Sequence, residues 1–196
     1  MKVWYPLIVY LAVQSITPGP NNLTCLYLGA TYGLKGAKRF IIASMTALAA
    51  KTFLCGGLNV VLAKYIPVVA EWLKWIGALY MLYLAFVMAR SGWVEEGGSD
   101  NQFSGSTFRD GITLQILNGK SWVVAVSMFA VYVIPVSSKF SAIVFATVVF
   151  IFLAAACSVI WAAFGEGLRR FIARYRKPFG IVMGLSLVWC AVTAVL

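Results

Sequence analysis

A stretch of apolar sequence runs from Trp4 to Tyr32, and Thr17-Pro18-Gly19-Pro20-Asn21-Asn22 interrupts it. The stretch is long enough to cross a bilayer, whose hydrocarbon core of ~30 Å takes about 20 helical residues. Two prolines and a glycine stop a helix and release backbone N–H and C=O groups at a depth where neither lipid nor water can bond them. Such a break is stable only where protein or a polar cavity surrounds it. Interrupted spans of this kind point to binding sites built between discontinuous helices.

Hydrophobic residues make up 62% of the 196 and charged residues 11%, against roughly 45–50% and about 25% in soluble domains. The chain therefore belongs in a membrane. Its net charge of +10 is not a nucleic-acid footprint, because the basic residues sit in short segments between apolar runs, where loop charge sets membrane orientation. There is no histidine, which removes histidine-based acid–base catalysis, histidine-ligated zinc and a histidine-activated serine. Cys25, Cys55, Cys157 and Cys190 lie inside apolar runs without metal-ligand spacing and read as small buried hydrophobes. No metal or cofactor is expected. The amino-terminal segment carries only Lys2 ahead of its apolar run and no A-x-A-like site, so it reads as a span rather than a cleaved signal.

Six apolar stretches are marked: Trp4 to Tyr32, Phe40 to Ala63, Trp72 to Ala89, Gly111 to Ile134, Ser141 to Phe164, and Phe179 to Leu196. A polar linker over 91–110, with Gly97-Gly98-Ser99-Asp100-Asn101-Gln102, divides them three and three. The expected organisation is a three-helix repeat over 1–90, a cytoplasmic linker, and a second three-helix repeat over 111–196. Placing both termini outside leaves ten lysines and arginines in inner loops, five of them between Arg169 and Lys177, against four in outer ones; the positive-inside rule favours that orientation. Trp72, Trp75 and Trp93 fit interfacial aromatic belts.

Three spans per half make the halves run in opposite senses, so an inverted repeat is the natural expectation. Gln14-x-x-Thr17-Pro18-Gly19 is matched by Gln115-x-x-Asn118-Gly119-Lys120 at a spacing of 101 residues, shared by Lys38 and Lys139. Elsewhere identity between the halves is poor. Each half nevertheless has a polar, glycine-containing interruption in its first span.

At the first interruption, a helix ending near Ile16-Thr17 presents carbonyls and one starting at Pro20 presents N–H groups. An amino-acid zwitterion needs both: N–H groups near Pro20-Asn21-Asn22 for its carboxylate, carbonyls near Ile16-Thr17 for its ammonium. The competing reading is a kink that shapes packing alone. At the second interruption, Gln115, Asn118 and Lys120 are costly in hydrocarbon unless paired or facing a cavity; alternatively Lys120 snorkels to the interface. Lys51 lies mid-span, about 18 Å along a helix from Arg39. It is expected either to face the substrate route or to pair with exposed carbonyls. Ala43, Ala47 and Ala50 form a small-residue stripe for helix packing. Glu166, beside Arg169 and Arg170, needs only a local ion pair, and no span centre holds an Asp or Glu.

These residues resemble the lysine exporter and homoserine/threonine exporter (LysE/RhtB) family of small bacterial amino-acid exporters. The resemblance is carried by Thr17 to Asn21, the basic turn Gly33 to Arg39, Gly77-x-x-Tyr80-x-x-Tyr83-Leu84 and Asn118-x-Lys120. Within the family the chain is most similar to the cysteine/O-acetylserine exporters, through Thr17 to Asn22, the Cys55 region and Val188-Trp189-Cys190-Ala191-Val192. It departs where Gly119 replaces a frequent proline, where Ala43 and Ala47 stand in place of glycines, and at Lys51.

The resulting expectation is an all-α integral membrane protein of six transmembrane helices, arranged as two inverted three-helix repeats with the first helix of each broken. The expected substrate-binding residues are Thr17, Pro18, Gly19, Pro20, Asn21, Asn22, Gln115, Asn118 and Lys120, with Lys51 on the substrate route or in coupling. The resemblance implies efflux of a small neutral amino acid such as cysteine, O-acetylserine, homoserine or threonine across the bacterial inner membrane, driven by the proton motive force. It also implies alternating access by tilting one half against the other. A homo-oligomer stays open. The rivals are a membrane enzyme, which lacks a visible nucleophile–base pair, and a small-solute channel, which calls for a continuous polar ring.

Overall fold

The structure, a computed structural model, describes residues 4–91 and 108–195, with the side chains at 60–71, 73–74, 91 and 173 left aside. The described residues are helical throughout apart from short connections, with no strand among them. Helix α1 spans Trp4–Ile16 and α2 Pro20–Gly57; α3 spans Asn59–Ser91, α4 Phe108–Leu117 and α5 Gly119–Ser127. Helix α5 continues into a π-helical stretch, Met128–Val133. Then come α6 (Phe140–Gly167), α7 (Arg169–Arg174) and α8 (Arg176–Val195). Helices α2, α6 and α8 are long and apolar enough to cross a membrane, and α4 with α5 and its π-helical extension, bent by 62°, adds a fourth if the pair forms one span.

The ends of these helices follow from the sequence. At Thr17 both the amide N–H and the hydroxyl donate to the Val13 carbonyl, at 3.1 and 2.5 Å. Pro18 cannot extend the ladder, Gly19 is fully extended, and Pro20 occupies the first turn of α2, where its missing donor costs nothing. Helix α2 is broken at Gly33, whose φ of 73° and ψ of 176° is open essentially to glycine alone. The second expected span ends earlier than its hydropathy suggests, at the Leu58 turn rather than at Ala63, because Gly56-Gly57 weakens helix continuation. Most of the polar linker lies outside the described residues, as does Trp93; Ser91 closes α3, and Phe108 to Asp110 already belong to α4.

Packing pairs helices from opposite parts of the chain. The most extensive interface joins α2 to α6, followed by α3 with α8 and α2 with α4, while α1 lies on α6. At the α2–α6 crossing the backbones touch: a Cβ on Gly29 would sit 1.9 Å from the Ala162 carbonyl oxygen, and one on Gly165 2.1 Å from that of Leu26. The alanine stripe is only partly used. Ala43 is buried, but Ala50 is exposed; the inward face of this helix instead carries Phe40, Ser44, Leu48, Lys51 and Cys55.

Two large apolar clusters and a small third one of Ala78, Met81 and Ala191 form the interior. One gathers Leu23, Phe40, Leu84, Leu114, Ala162 and Leu187; the other gathers Leu11, Leu48, Val124, Phe129 and Phe150. The polar side chains of the interior gather between the two large clusters: Ser15, Thr17, Asn21, Asn22, Ser44, Gln115, Asn118, Lys120, Ser121 and Ser158. A polar layer thus crosses the bundle between two dry ones. Large apolar side chains such as Phe145, Phe152, Leu185 and Trp189 cover the outside, as a lipid-facing surface requires.

Replacing Gly33 by alanine is expected to cost about 1–3 kcal/mol of stability, since its Cβ would also lie 2.9 Å from Glu166 Oε1. Thermal unfolding of detergent-solubilised protein measures it; an unchanged midpoint would contradict the assigned backbone strain.

Candidate functional site

The polar layer is organised by the two helix breaks. A helix that ends inside the protein leaves up to four carbonyls without intrahelical donors. At the end of α1, the Gln14 carbonyl accepts from Lys120 Nζ at 3.1 Å and the Ser15 carbonyl from Asn22 Nδ2 at 2.7 Å. The Thr17 carbonyl accepts from Asn22 Nδ2 at 3.1 Å, with Lys120 Nζ at 3.5 Å. Lys120 therefore does not snorkel. Its ammonium rests on the carbonyl pole where a substrate ammonium was expected.

The second break has the same architecture with a different lysine. The Gln115 carbonyl accepts from Lys51 Nζ at 2.8 Å, and Lys51 also donates to Ser121 Oγ. Ser121 in turn donates its hydroxyl to the Asn118 carbonyl at 2.8 Å and its N–H to the same oxygen at 3.1 Å. Trp122 Nε1 donates to the Ile116 carbonyl at 2.8 Å, and its ring lies 5.2 Å from Lys51 Nζ, on a face that attracts a cation. Helices α1 and α4 end 101 residues apart, at Ile16 and Leu117, but only Asn118 separates α4 from α5 where three residues separate α1 from α2. Without a proline at position 119, the second interruption is the shorter one.

Side chains join the breaks to the scaffold. Asn21 Nδ2 donates to Ser158 Oγ on α6 at 3.0 Å, and Asn21 Oδ1 accepts from Ser44 at 2.6 Å. Ser44 lies 3.5 Å from Gln115 Oε1. One asparagine amide thus connects the start of α2, the middle of α2 and α6, with Gln115 of α4 beside it.

Two cavities meet here. The smaller, of about 60 Å³, is lined by Thr17, Gly19, Pro20, Asn21 and Asn22 from the first break, by Gln115, Asn118, Lys120 and Ser121 from the second, and by Met45, Leu48, Val124, Phe150 and Ala154. The larger, about 450 Å³, is bounded by Tyr10 and Pro18 on one side and by Gly77, Met81, Cys190 and Thr193 on the other. Gln14, Gly19, Pro20, Asn118, Lys120 and Val124 line both. Among the described residues no carboxylate lines either.

Of the sequence-predicted site residues, eight meet at the smaller cavity, and Pro18 faces the larger one. Lys51 lines neither; it is 5% exposed and sits behind the wall, holding the second break. Sequence reasoning missed Ser15, Ser44, Ser121 and Ser158. A serine inside a span ordinarily bonds its own helix backbone, so only their alignment with Asn21, Lys51 and Asn118 in three dimensions distinguishes them.

The profile of the LysE type translocator family matches residues 12–196. The chain belongs to this family. It is a membrane transporter, not an enzyme. The cysteine/O-acetylserine efflux protein of Escherichia coli O157:H7 is 30% identical over 183 residues, covering 93% of this chain and 92% of that one. The proteins of the same name from Escherichia coli K12 and from Shigella flexneri serotype 5b are 29% identical over the same shares. No solved structure is significantly similar.

Replacing Lys51 by methionine is expected to orphan the Gln115 carbonyl and Ser121, lowering stability by about 1–3 kcal/mol, while transport per folded molecule persists. Thermal unfolding and efflux normalised to folded protein measure the two; normalised efflux that collapses while the melting midpoint stays fixed would return Lys51 to the substrate route.

Proposed function

We propose that this translocator exports a small neutral amino acid, of the size of cysteine, O-acetylserine, homoserine or threonine, from a site at the two helix breaks. The observation that carries the reading is the smaller cavity itself. It offers carbonyls, an asparagine amide, hydroxyls and the ammonium of Lys120, with Met45, Leu48, Val124 and Phe150 for a short side chain. That set matches a zwitterion whose side chain is uncharged. A second cation, as in a basic amino acid, would lie against Lys120 with no carboxylate in the lining to offset it. The efflux of cysteine and O-acetylserine named for the relatives fits the same chemistry.

In this reading the chain makes six crossings as two inverted repeats, 1–90 and 111–196, joined by a cytoplasmic linker, with both termini outside the inner membrane. The reciprocal packing of α1 on α6 and of α4 on α2 supports the repeat, as do the equivalent ends of α1 and α4. Efflux draws on the proton motive force, as the family resemblance implies.

Gly19 tests the site. Its backbone is extended, which any residue can adopt, and an added Cβ would meet Lys120 Cδ and Nζ at 3.7 and 3.8 Å, an ordinary contact. Alanine at position 19 is therefore expected to retain efflux, whereas leucine would take the space of Lys120 and abolish it with insertion intact. Efflux from cells loaded with labelled amino acids, with and without an uncoupler, measures this; wild-type efflux by Gly19→Leu would remove the first break from the site. For orientation, a reporter active only in the periplasm should work when fused at the carboxyl terminus and fail when fused after Arg176; the reverse pattern would invert the topology.

A further inference from the structure

Two lysines hold two helix breaks, but they hold them differently. Lys51 is buried, with two hydrogen-bond acceptors and an aromatic face around it. Lys120 is only half-buried, donates among the described residues to the Gln14 and Thr17 carbonyls, and stands in the wall shared by the two cavities. Ser15, more than nine-tenths buried, lines the same smaller cavity, and its hydroxyl has no hydrogen-bond partner among the described residues. Gly19, where an added Cβ would lie 3.7 Å from Lys120 Cδ, leads directly into the start of α2. The Asn21 and Asn22 N–H groups there have no carbonyl four residues back within the helix.

We propose that Lys120 is a tethered stand-in for the substrate ammonium, displaced when an amino acid inserts between it and the end of α1, and that the released lysine then pairs with the substrate carboxylate. This rests on the export reading of the same site. The Gln14 carbonyl at the end of α1 is costly to leave without a donor, because a buried acceptor that loses its hydrogen bond is not repaid. With no substrate bound, Lys120 supplies that donor. The substrate ammonium takes over the Gln14 and Thr17 carbonyls. Its carboxylate, one carbon away, meets the displaced Lys120 ammonium next to the α2 amino terminus, where a negative charge is favoured. At each stage the Gln14 carbonyl has a donor, and with substrate bound the two ammonium groups and the carboxylate each have a partner.

The exchange closes only for a molecule that carries both groups. An amine without a carboxylate would displace Lys120 and leave it buried and unpaired. An acid without an amine would pair with Lys120 and orphan the Gln14 carbonyl, while Thr17 keeps Asn22 Nδ2. Lys120 thereby acts as a specificity-determining residue for the α-amino-acid backbone and, by its position, as the partition between the cavities.

The test compares ligand-dependent thermal stabilisation of the purified full-length protein. L-Cysteine is set against cysteamine, which lacks the carboxylate, and mercaptopropionate, which lacks the amine, under reducing conditions; L-threonine is set against aminopropanol and hydroxybutyrate. Wild-type protein should prefer the amino acid of at least one set by about tenfold or more in affinity, the range expected for a charged hydrogen bond. In Lys120→Met the α1 carbonyls await an ammonium and the carboxylate has lost its partner, so the amine should bind as well as or better than the amino acid. Lys120→Gln keeps an N–H donor for those carbonyls without the charge; it guards against a methionine variant that fails to fold and should lose the preference for the carboxylate in the same way. Retention of the wild-type preference in either folded variant overturns the inference. Proteoliposome efflux of L-cysteine, L-threonine and L-homoserine by wild-type protein separates the two claims. Efflux of one with an unchanged preference in the variants sinks only the role of Lys120, whereas efflux of none sinks the export reading.

Discussion

Carbonyl groups at the inner ends of two interrupted helices govern this structure. In a bilayer an unpaired backbone oxygen has no solvent to turn to, so each break must be closed by a donor from elsewhere in the chain. Asn22 and Trp122 supply local donors, and a lysine from a distant element completes each break: Lys120 at Gln14 in the first, and Lys51 at Gln115 in the second. The bonds span 106 and 64 residues of chain. The polar layer, the position of the cavities and the meeting of both breaks on one level follow from this mutual closure.

Much of that was legible beforehand. Thr17 to Asn22 located the first break because prolines and glycine act locally, through dihedral angles and missing donors. The restart of the helix at Pro20 could be read for the same reason. Gln115, Asn118 and Lys120 stood out because hydrocarbon makes polar residues conspicuous. What could not be read was which of these groups faces which. Lys51 carried the same signal of an expensive mid-span charge whether it lined a route or closed a break, and only the position of the Gln115 carbonyl separates those cases. The serines were silent because a hydroxyl can satisfy itself on its own helix. The turn at Leu58 was obscured by apolar sequence that continues beyond it.

Inverted repeats invite a picture of two halves rocking about a fixed centre, but the packing distributes the contacts otherwise. The tightest backbone contact, Gly29 and Gly165 against opposing carbonyls, joins α2 of the first half to α6 of the second. The next largest interface joins α3 to α8, again across the halves. Tilting one half against the other would part both.

Helices α3 and α8 pack chiefly on each other and form one side of the bundle. At one end this pair is fastened, where Leu84, Met88, Met183 and Leu187 enter the apolar cluster of Phe40 and Leu114. At the other end Gly77, Met81, Cys190 and Thr193 bound the larger cavity, and there α3 meets the second break directly, because a Cβ on Gly77 would lie 2.4 Å from the Leu117 carbonyl oxygen. Any larger side chain at position 77 would push α3 off the end of α4. The width of the cavity beside Lys120 therefore depends on a residue with no side chain at all.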